Sequence, residues 1–455
     1  MCWLLIIGYY SVIVIWLLVI NYMKVLVVDS GGRGHAIAWQ FKNDPEVKEV
    51  ICTPGNSGIA REIRCENART NEEILELAKQ EKVDLVFIGP ESPLTNGIVD
   101  LFKKEGIPVV GPTKRASILE GSKAYTKLLC IEIGVPVAEF EVFDNPEKAR
   151  DYVEYVKYPV VAKADGLAQG KGSIVCSDIG ESCQAIDQLM VEKIFGDAGK
   201  KVVVEKRLYG TEISFFFFTD GKALAPMPVA QDYKRAYDND EGLNTGGMGA
   251  YSPHRLEGAR LTNLVSEKVA LPLITGFAEK EGILYKGILY LGLMLVEETP
   301  YLLEVNVRLG DPEAEVILPR LKTPLSDISF QIINGVLSEK KVEWSQDYYC
   351  DVVAAVGRTR QIKNGKSKGW YHGYPGRYGK GYPISGIEQV KDPDCKLFFA
   401  GVNNSETKGL VTEGGRVLHV VGRGETLQKA RSIAYSNIEQ IHFEGIRYRR
   451  DIGNE

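Results

Sequence analysis

From Met23 to about residue 120 the chain alternates apolar runs with helical segments, and this alternation constrains the fold more than any other feature. "KVLVVDS" is a continuous apolar run, the mark of a strand buried on both faces. "GGRGH" then turns into a helix through "AIAWQFKND". "VKEVICTPG", "DLVFIGPE" and "IPVVGPT" read as further strands, with helices in "NEEILELAKQEKV" and "GIVDLFKKEG" between them. Such alternation predicts an open parallel α/β sheet. Ligands of these sheets bind beyond the carboxyl ends of the strands, where "SGGRGH", "TPGNSG" and "GPESPL" fall.

From Gly121 the pattern changes. "SKAYTKLLCIEIG" reads as a helix ending at Gly134, followed by strands and one helix in an α+β arrangement that suits a small lid. Within it lies "KADGLAQGKGSIV", Lys163 to Val175, with the composition of a phosphate-cradling loop. It is not a P-loop. Gly166 and Gly170 are one residue too close for that motif, and Gly172 stands where Ser or Thr should ligate Mg²⁺. The flanks "YPVVAKA" and "SIVCSD" are both strand-like, so the loop should cap a hairpin. "PVAQDYKRAYDNDEGLNTGGMGAYSP" reads as a long irregular segment, a length usually tied to function or disorder. After about residue 345 the chain is mostly strands, closed by the helix "LQKARSIAYSNIEQI".

A length of 455 residues fits about three domains. A net charge of −5 argues against a broad nucleic-acid footprint. The eight cysteines form no C-x-x-C pair, which favours reduced thiols in a cytoplasmic protein, and five widely spaced histidines argue against a His-based metal site. Residues 1–22 carry no charge and are long enough for a membrane helix. They lack the basic region and cleavage site of a signal peptide, and they leave no linker before the first strand. The favoured reading is that Met23 is the true start; a membrane anchor is the alternative.

In "LLEVNVRLGDPE", Glu304 and Asn306 lie two apart on a strand and so share one face. A carboxylate and an amide oxygen suit Mg²⁺ beside nucleotide phosphates. Leu303, Val305 and Val307 should form the opposite, apolar face, and Arg308, Asp311 and Glu313 crowd the strand end. In "VVVEKRLYGTEIS", Glu205 ends a strand, with Lys206, Arg207, Leu208 and then Glu212 beyond it. An extended segment there can offer backbone groups to adenine and a carboxylate to ribose.

Taken in order, "SGGRGHAIAW", "GPESPLTNGIVD", "GPTKRASILEGSKAYTK", "VVAKADGLAQGKG", "VVVEKRLYGTEIS", "QDYKRAYDNDEGLNTGGMGAYSP" and "LLEVNVRLGDPEAEVILPRL" resemble the phosphoribosylamine–glycine ligase family of ATP-grasp enzymes. The resemblance spans about residues 23–345 and resumes at "GYPGRYGKGYPISG", "EGGRVLHVVGRG" and "FEGIRYRRDIG". It implies an N-terminal α/β domain (23–122), an ATP-grasp domain (123–345, with a mobile lid at about 145–212) and a small, mostly-β C-terminal domain (346–455). It implies ATP with Mg²⁺ or Mn²⁺, glycine and 5-phosphoribosylamine as ligands, no nucleic acid, no membrane unless residues 1–22 are genuine, and a monomer among the states allowed.

By the same resemblance the glycine hairpin closes over ATP. Lys123, Lys163, Gly166, Gly170, Gly172, Glu205, Leu208 and Glu212 then serve the nucleotide, and Glu304 and Asn306 the metal. Gly31, Gly32, Arg33 and Asn56 face the ribose phosphate. Asp232, Lys234, Asn244, Gly246, Gly247 and Arg308 frame the acyl donor and acceptor, with Arg308, Asp311 and Lys163 in catalytic positions. Glycine's carboxylate would attack the γ-phosphorus, and the amine would then displace phosphate from glycyl phosphate. Three features depart from the family pattern: Gly34 in place of Glu, Lys206 and Arg207 in the adenine hinge, and a basic stretch at 358–372. The alternatives are another purine-pathway ATP-grasp ligase or carboxylase, and a membrane-tethered nucleotide-binding protein without ligase activity.

Overall fold

The computed structural model describes residues 23–168, 170–337, 342–363 and 366–454. The apolar stretch 1–22, and the choice between wrong start and anchor, therefore lie outside the described residues. Among those described, no helix is long and apolar enough to cross a membrane.

The N-terminal alternation forms a five-stranded parallel sheet of order β3-β2-β1-β4-β5. Its strands are β1 (Met23–Asp29), β2 (Val47–Pro54), β3 (Arg64–Cys65), β4 (Leu85–Ile88) and β5 (Val109–Val110). Val25 to Val28 are buried on both sides, as an unbroken apolar run requires. The helix Gly32–Lys42 follows β1 through a turn organised by Asp29. The Asp29 carboxylate accepts from the Ser30 and Gly31 amides and from Arg33 Nε at 2.9 Å. This arrangement accounts for Gly34: a Cβ there would lie 2.4 Å from that of Asp29, so the aspartate occupies the space a side chain would need.

The lid is an antiparallel sheet of order β6-β9-β7-β8, from β6 (Phe140–Phe143), β7 (Val160–Ala164), β8 (Ser173–Val175) and β9 (Val202–Lys206). Lys163 pairs with Ser173, so the glycine loop does cap a hairpin. The sheet and the helices Pro146–Val156 and Ile179–Ile186 share a small core of their own around Val153, Ala162 and Ile186.

A second antiparallel sheet, β11-β10-β16-β17, forms the floor. It contains β10 (Thr211–Thr219), β11 (Leu224–Pro226), β16 (Gly287–Val296) and β17 (Thr299–Asn306), and the segment between β11 and β16 holds β12 (Gln231–Asp232), β13 (Arg235–Tyr237), β14 (Glu241–Asn244) and β15 (Gly249–Ser252). "FFFF" on β10 alternates between two cores: Phe215 and Phe217 point to one, Phe216 and Phe218 to the other. Burying one such ring contributes about 1.5–3 kcal/mol, so this sheet is pinned on both faces.

The C-terminal sheet has the order β12-β15-β18-β24-β21, with β25 also on β18. It adds β18 (Tyr348–Val356), β21 (Cys395–Phe399), β24 (Arg416–Gly424) and β25 (Ile446–Arg447), flanked by the hairpins β19–β20 (Thr359–Lys363, Lys366–Tyr371) and β22–β23 (Val402–Ser405, Gly409–Thr412). Two expectations are corrected here. The segment read as irregular contributes β12 and β15 to this sheet and β13–β14 as a hairpin. Its strands are two to four residues long: β15 is organised by pairing with β18, about 100 residues on, and β12 by pairing with β15, while β13 and β14 pair only with each other. The basic stretch is not a plain loop: Thr359 pairs with Tyr371, and Arg358 and Arg360 lie over the Trp370 ring.

His35 joins the first sheet's helix to the C-terminal sheet. Its Nδ1 accepts from the Phe399 amide at 2.9 Å, so Nε2 carries the proton and donates to Glu62 at 2.7 Å. Burial lowers the imidazole pKa despite Glu62. The unfolded chain therefore binds the proton more readily, and stability from this group is lost as pH falls below about 6.5. Between pH 7.5 and 5.5 the Tm of the native protein should fall more steeply than that of a His35→Gln variant. Parallel Tm–pH slopes for the two proteins would refute this.

Candidate functional site

Between the lid sheet and the β10–β16–β17 floor opens a cleft of about 940 Å³, reached by Lys163 and Gly170 from the lid, Glu212 and Glu304 from the floor, and Arg308 and Asp311 beyond it. A smaller pocket adjoins it at Glu120, Lys123, Glu304 and Asn306.

Glu304 and Asn306 share a face of β17, with Asn306 Nδ2 3.5 Å from Glu304 Oε1. The strand does not alternate as read. Leu302 pairs with Leu293 and Glu304 with Gly292, leaving Leu303 in a bulge. Leu302, not Leu303, therefore joins Val305 and Val307 in the core, and Leu303 turns to the cleft. Its carbonyl accepts from Lys163 Nζ at 3.0 Å, which brings the hairpin's lysine next to the Glu304–Asn306 face. Burial alone would raise the Glu304 carboxyl, but Lys234, Lys163, Lys123 and Arg308 hold it at about 2. The face is thus an ionised carboxylate and an amide oxygen, a donor set that fits a hard divalent cation.

Arg308 follows directly. Its guanidinium reaches Glu91 (3.2 Å), Glu120 (3.2 Å) and Asn306 Oδ1 (3.0 Å). Glu120 also accepts from the Val307 amide at 2.8 Å. Burial pushes its carboxyl up to about 7 against the pull of Arg308.

Glu205 is buried and paired with Lys127 at 2.5 Å and with Lys163. Its carboxylate is committed to these lysines. Lys123 reaches the loop carbonyl of Gly166 at 3.2 Å. In the loop, Gly170 has φ +71° and lines the cleft, Gly172 lines the adjoining pocket beside Ala168, and Gly166 packs against Ala198. Lys206, Arg207 and Leu208 all line the cleft, with Lys206 over the ring of Tyr158 and Arg207 over that of Tyr209. The unusual side chains of the hinge are thus stacked on aromatic neighbours, and the Arg207 amide donates to the Pro159 carbonyl.

At the far end Glu212 pairs with Lys234. Asp232 is half-buried beside them, its pKa raised by desolvation and by Glu313. Glu313 in turn accepts from Tyr290 at 2.7 Å. Asn244 reaches from β14 to the Ser173 carbonyl of the lid at 3.4 Å. Asp311 pairs with Arg416 at 2.8 Å, and Arg416 also donates to the Gly246 carbonyl at 2.7 Å. Arg416, with His419 and Arg33, holds Asp311 at about 2 although burial alone would raise it.

Not every residue expected at the site reaches it. Arg33 lines the cleft edge, but its guanidinium is engaged by Asp29 and the Leu309 carbonyl. Gly31 and Gly32 lie against Asp311, Glu315 and His419 instead. Asn56 uses its whole amide within the protein: Nδ2 donates to Ser30, Phe399 and Ala400 carbonyls, and Oδ1 accepts from the Gly58 and Ile59 amides. Conversely, Glu91, Glu120, Lys127, Tyr290 and Arg416 were missed. Glu91 and Glu120 sit inside "GPESPL" and "LEGSKAYTK", and Arg416 inside "EGGRVLHVVGRG", a stretch that carries the resemblance without a site role being read from it.

Comparison with known proteins agrees with this architecture. Three phosphoribosylglycinamide synthetase domain models match in order: the N domain over residues 23–120, the ATP-grasp (A) domain over 121–314 and the C domain over 371–455. The chain is 43% identical over 428 residues to a phosphoribosylamine–glycine ligase of Caldanaerobacter subterraneus, covering 94% of this chain and 98% of that one. It is 43% identical over 473 residues to one from Archaeoglobus fulgidus, with the same coverages. The crystal structure of the Thermotoga maritima phosphoribosylamine–glycine ligase superposes with a TM-score of 0.79 at 36% identity, covering 94% of this chain and all of that one. With all three domain matches in order and full-length relatives at this identity, the chain belongs to the phosphoribosylglycinamide synthetase family.

Proposed function

We infer that the chain ligates glycine to 5-phosphoribosylamine at the expense of ATP, giving glycinamide ribonucleotide, ADP and phosphate in purine biosynthesis. The observation that carries this reading is the meeting of Lys163, from the glycine hairpin, with the Glu304–Asn306 face of β17. ATP lies between lid and floor, its phosphates beside Lys123 and Lys163 and under the loop around Gly170. A hairpin closed over the phosphates also excludes water from an acyl phosphate that would otherwise hydrolyse. Glu304 and Asn306 hold Mg²⁺ or Mn²⁺, which when bound supplies charge neutralisation at the phosphates.

No side chain need act as nucleophile. A glycine carboxylate oxygen attacks the γ-phosphorus, and the bond to the ADP oxygen breaks. The amine of 5-phosphoribosylamine then attacks the acyl carbon, the carbon–oxygen bond to phosphate breaks, and the nitrogen sheds its proton. The chain's part is orientation and charge. Lys123 and Lys163 face the developing negative charge on the phosphates. Arg308, fixed by Glu91 and Glu120, holds Asn306 and presents a cation at the acyl centre. Asp232, Lys234, Asn244 and Gly246 frame the small substrates, and Asp311 steadies that wall through Arg416. The test is ADP release: it should require glycine and 5-phosphoribosylamine together. Turnover with bicarbonate in place of glycine would identify a carboxylase instead.

Gly246 and Gly247 should respond differently to alanine. Gly247 has φ +109°, and its Cβ would fall 2.2 Å from Pro312 Cδ. Its glycine is therefore a packing requirement, and Gly247→Ala should cost about 1–3 kcal/mol of stability. Gly246 lines the cleft, and its Cβ would meet the Arg416 guanidinium at 3.1 Å and the Tyr374 hydroxyl at 3.4 Å, side-chain ends that can shift by a few tenths of an ångström. Gly246→Ala should fold normally, raise the KM for glycine and leave nucleotide affinity intact. One methyl group separates substrates by only ~10- to 200-fold, which bounds the wild-type preference for glycine over alanine. Lost ATP affinity with an unchanged glycine KM would assign this segment to the nucleotide.

A further inference from the structure

Where the three domains meet, a second group of polar side chains lies behind the cleft wall. Asp311 and Glu315 come from the turn and short helix after β17, His419 from β24 and Asp351 from β18. Glu315, Asp351 and His419 are fully buried. His419 Nδ1 lies 2.7 Å from Asp351 Oδ2, which fixes the ring and leaves Nε2 facing the other two carboxylates. Nε2 is 3.7 Å from Asp311 Oδ1 and 3.7 Å from Glu315 Oε1. Among the described residues, neither Nε2 nor either Glu315 oxygen has a hydrogen-bond partner.

A buried carboxylate with both oxygens unpartnered is costly, and two resolutions are open. A proton on Glu315 would need an acceptor at about 2.5–3.0 Å, and Nε2 is farther away than that. Two ligands of one tetrahedral ion with bonds near 2.0–2.1 Å lie ~3.4 Å apart, much closer to the observed spacing. One ligand atom from each of Asp311, Glu315 and His419 falls within 4.8 Å of the others. A histidine oriented by a buried carboxylate is the arrangement that metal-binding imidazoles use. The neighbouring chain also leaves room for it. A Cβ on Gly32 would lie 2.5 Å from the His419 ring and 2.6 Å from Glu315 Oε1, so only glycine lets the first domain close over this group. Arg416 forms its ion pair with Asp311, and the ion-pair partner of Glu315 and Asp351 is His419.

We propose that Asp311, Glu315 and His419 bind a divalent transition-metal ion of the zinc class, with Asp351 orienting His419, as a structural clip between the ATP-grasp and C-terminal domains. An imidazole among the ligands selects against Mg²⁺ and separates this site from the Glu304–Asn306 face. The five histidines are indeed dispersed, but one histidine with two carboxylates needs no histidine pair.

The test uses the full chain without nucleotide, loaded with Zn²⁺ or Co²⁺ and then desalted. About one ion per chain should remain on the wild type and on Glu304→Gln. The Co²⁺ form should show visible d–d absorption, and Tm should rise with Zn²⁺. His419→Gln and Glu315→Gln should lose the ion and the absorption. If either fails to fold, Asp351→Asn supplies the readout, with affinity lowered ~10- to 100-fold. A wild type that retains neither ion, or Co²⁺ bands that persist in folded His419→Gln, would overturn the proposal, as would loss of the ion in Glu304→Gln alone.

Discussion

Glu304→Gln should lower turnover about 100-fold or more and weaken the apparent affinity for Mg²⁺, with the fold intact. Glutamine keeps the shape of the side chain but removes the negative charge around which Lys123, Lys163, Lys234 and Arg308 are gathered. Those cations then repel the metal instead of sharing a counter-charge with it. Asn306→Leu should cost a similar factor by a second route, since it also releases the Arg308 guanidinium from its 3.0 Å contact with Oδ1. The two effects should not add, because both variants empty one site. The Glu304 carboxyl is held at about 2, so it stays ionised at every pH where the protein is assayed. Stability from this group is present above the ordinary carboxylate range and is lost only as pH falls through that value. Acid loss of activity near neutrality must then arise elsewhere. Rates near wild type at subsaturating Mg²⁺ in either variant would remove Glu304 and Asn306 from the metal site.

The parts of this molecule that were legible in its sequence are those decided by local period. β1, with four consecutive buried apolar residues, could only be an interior parallel strand. The glycine loop betrayed its hairpin because both flanks read as strands, and Lys163 duly pairs with Ser173. Period two placed Glu304 and Asn306 on one face. What failed was anything set by a distant partner. The bulge at Leu303 depends on how β17 registers against β16, and no property of "LLEVN" announces it. β15 is a strand because β18 lies beside it, and β12 is one because β15 does. Gly34 looked like a defect until Asp29 was found in the space its side chain would take. Asn56 had the composition of a ligand contact but serves as a tether to Phe399 and Ala400, more than 300 residues away. Arg416 lies in "EGGRVLHVVGRG", but its role is not legible there because it is defined by Asp311 and Gly246, both from another domain.

Arg308 is where stability and chemistry can be separated. Its one guanidinium meets Glu91, Glu120 and the Asn306 oxygen at once. A planar fork of five donors can span these three directions, and a lysine ammonium cannot. Arg308→Met strands two buried carboxylates, so it should lose about 3–5 kcal/mol of stability. The deficit should depend on pH, with a sign that follows from Glu120. Burial raises that carboxyl to about 7 even with Arg308 present, and it would rise further without it. A folded-state pKa above the unfolded one means that the native chain holds the proton more tightly, so stability from this group falls as pH rises through that interval. The Met variant should therefore be nearer to wild type at pH 5.5, where Glu120 is protonated, than at pH 8.5, where its charge is unmatched. Arg308→Lys restores a charge and should recover much of that stability at both pH values. Its turnover should stay low, because the ammonium cannot hold Asn306 and both glutamates together. Denaturant melts at the two pH values, with steady-state rates for both variants, measure all of this. An equal deficit at pH 5.5 and 8.5 would show that Arg308 does not answer the charge of Glu120. Wild-type turnover in the lysine variant would show that the guanidinium's geometry is immaterial to the reaction.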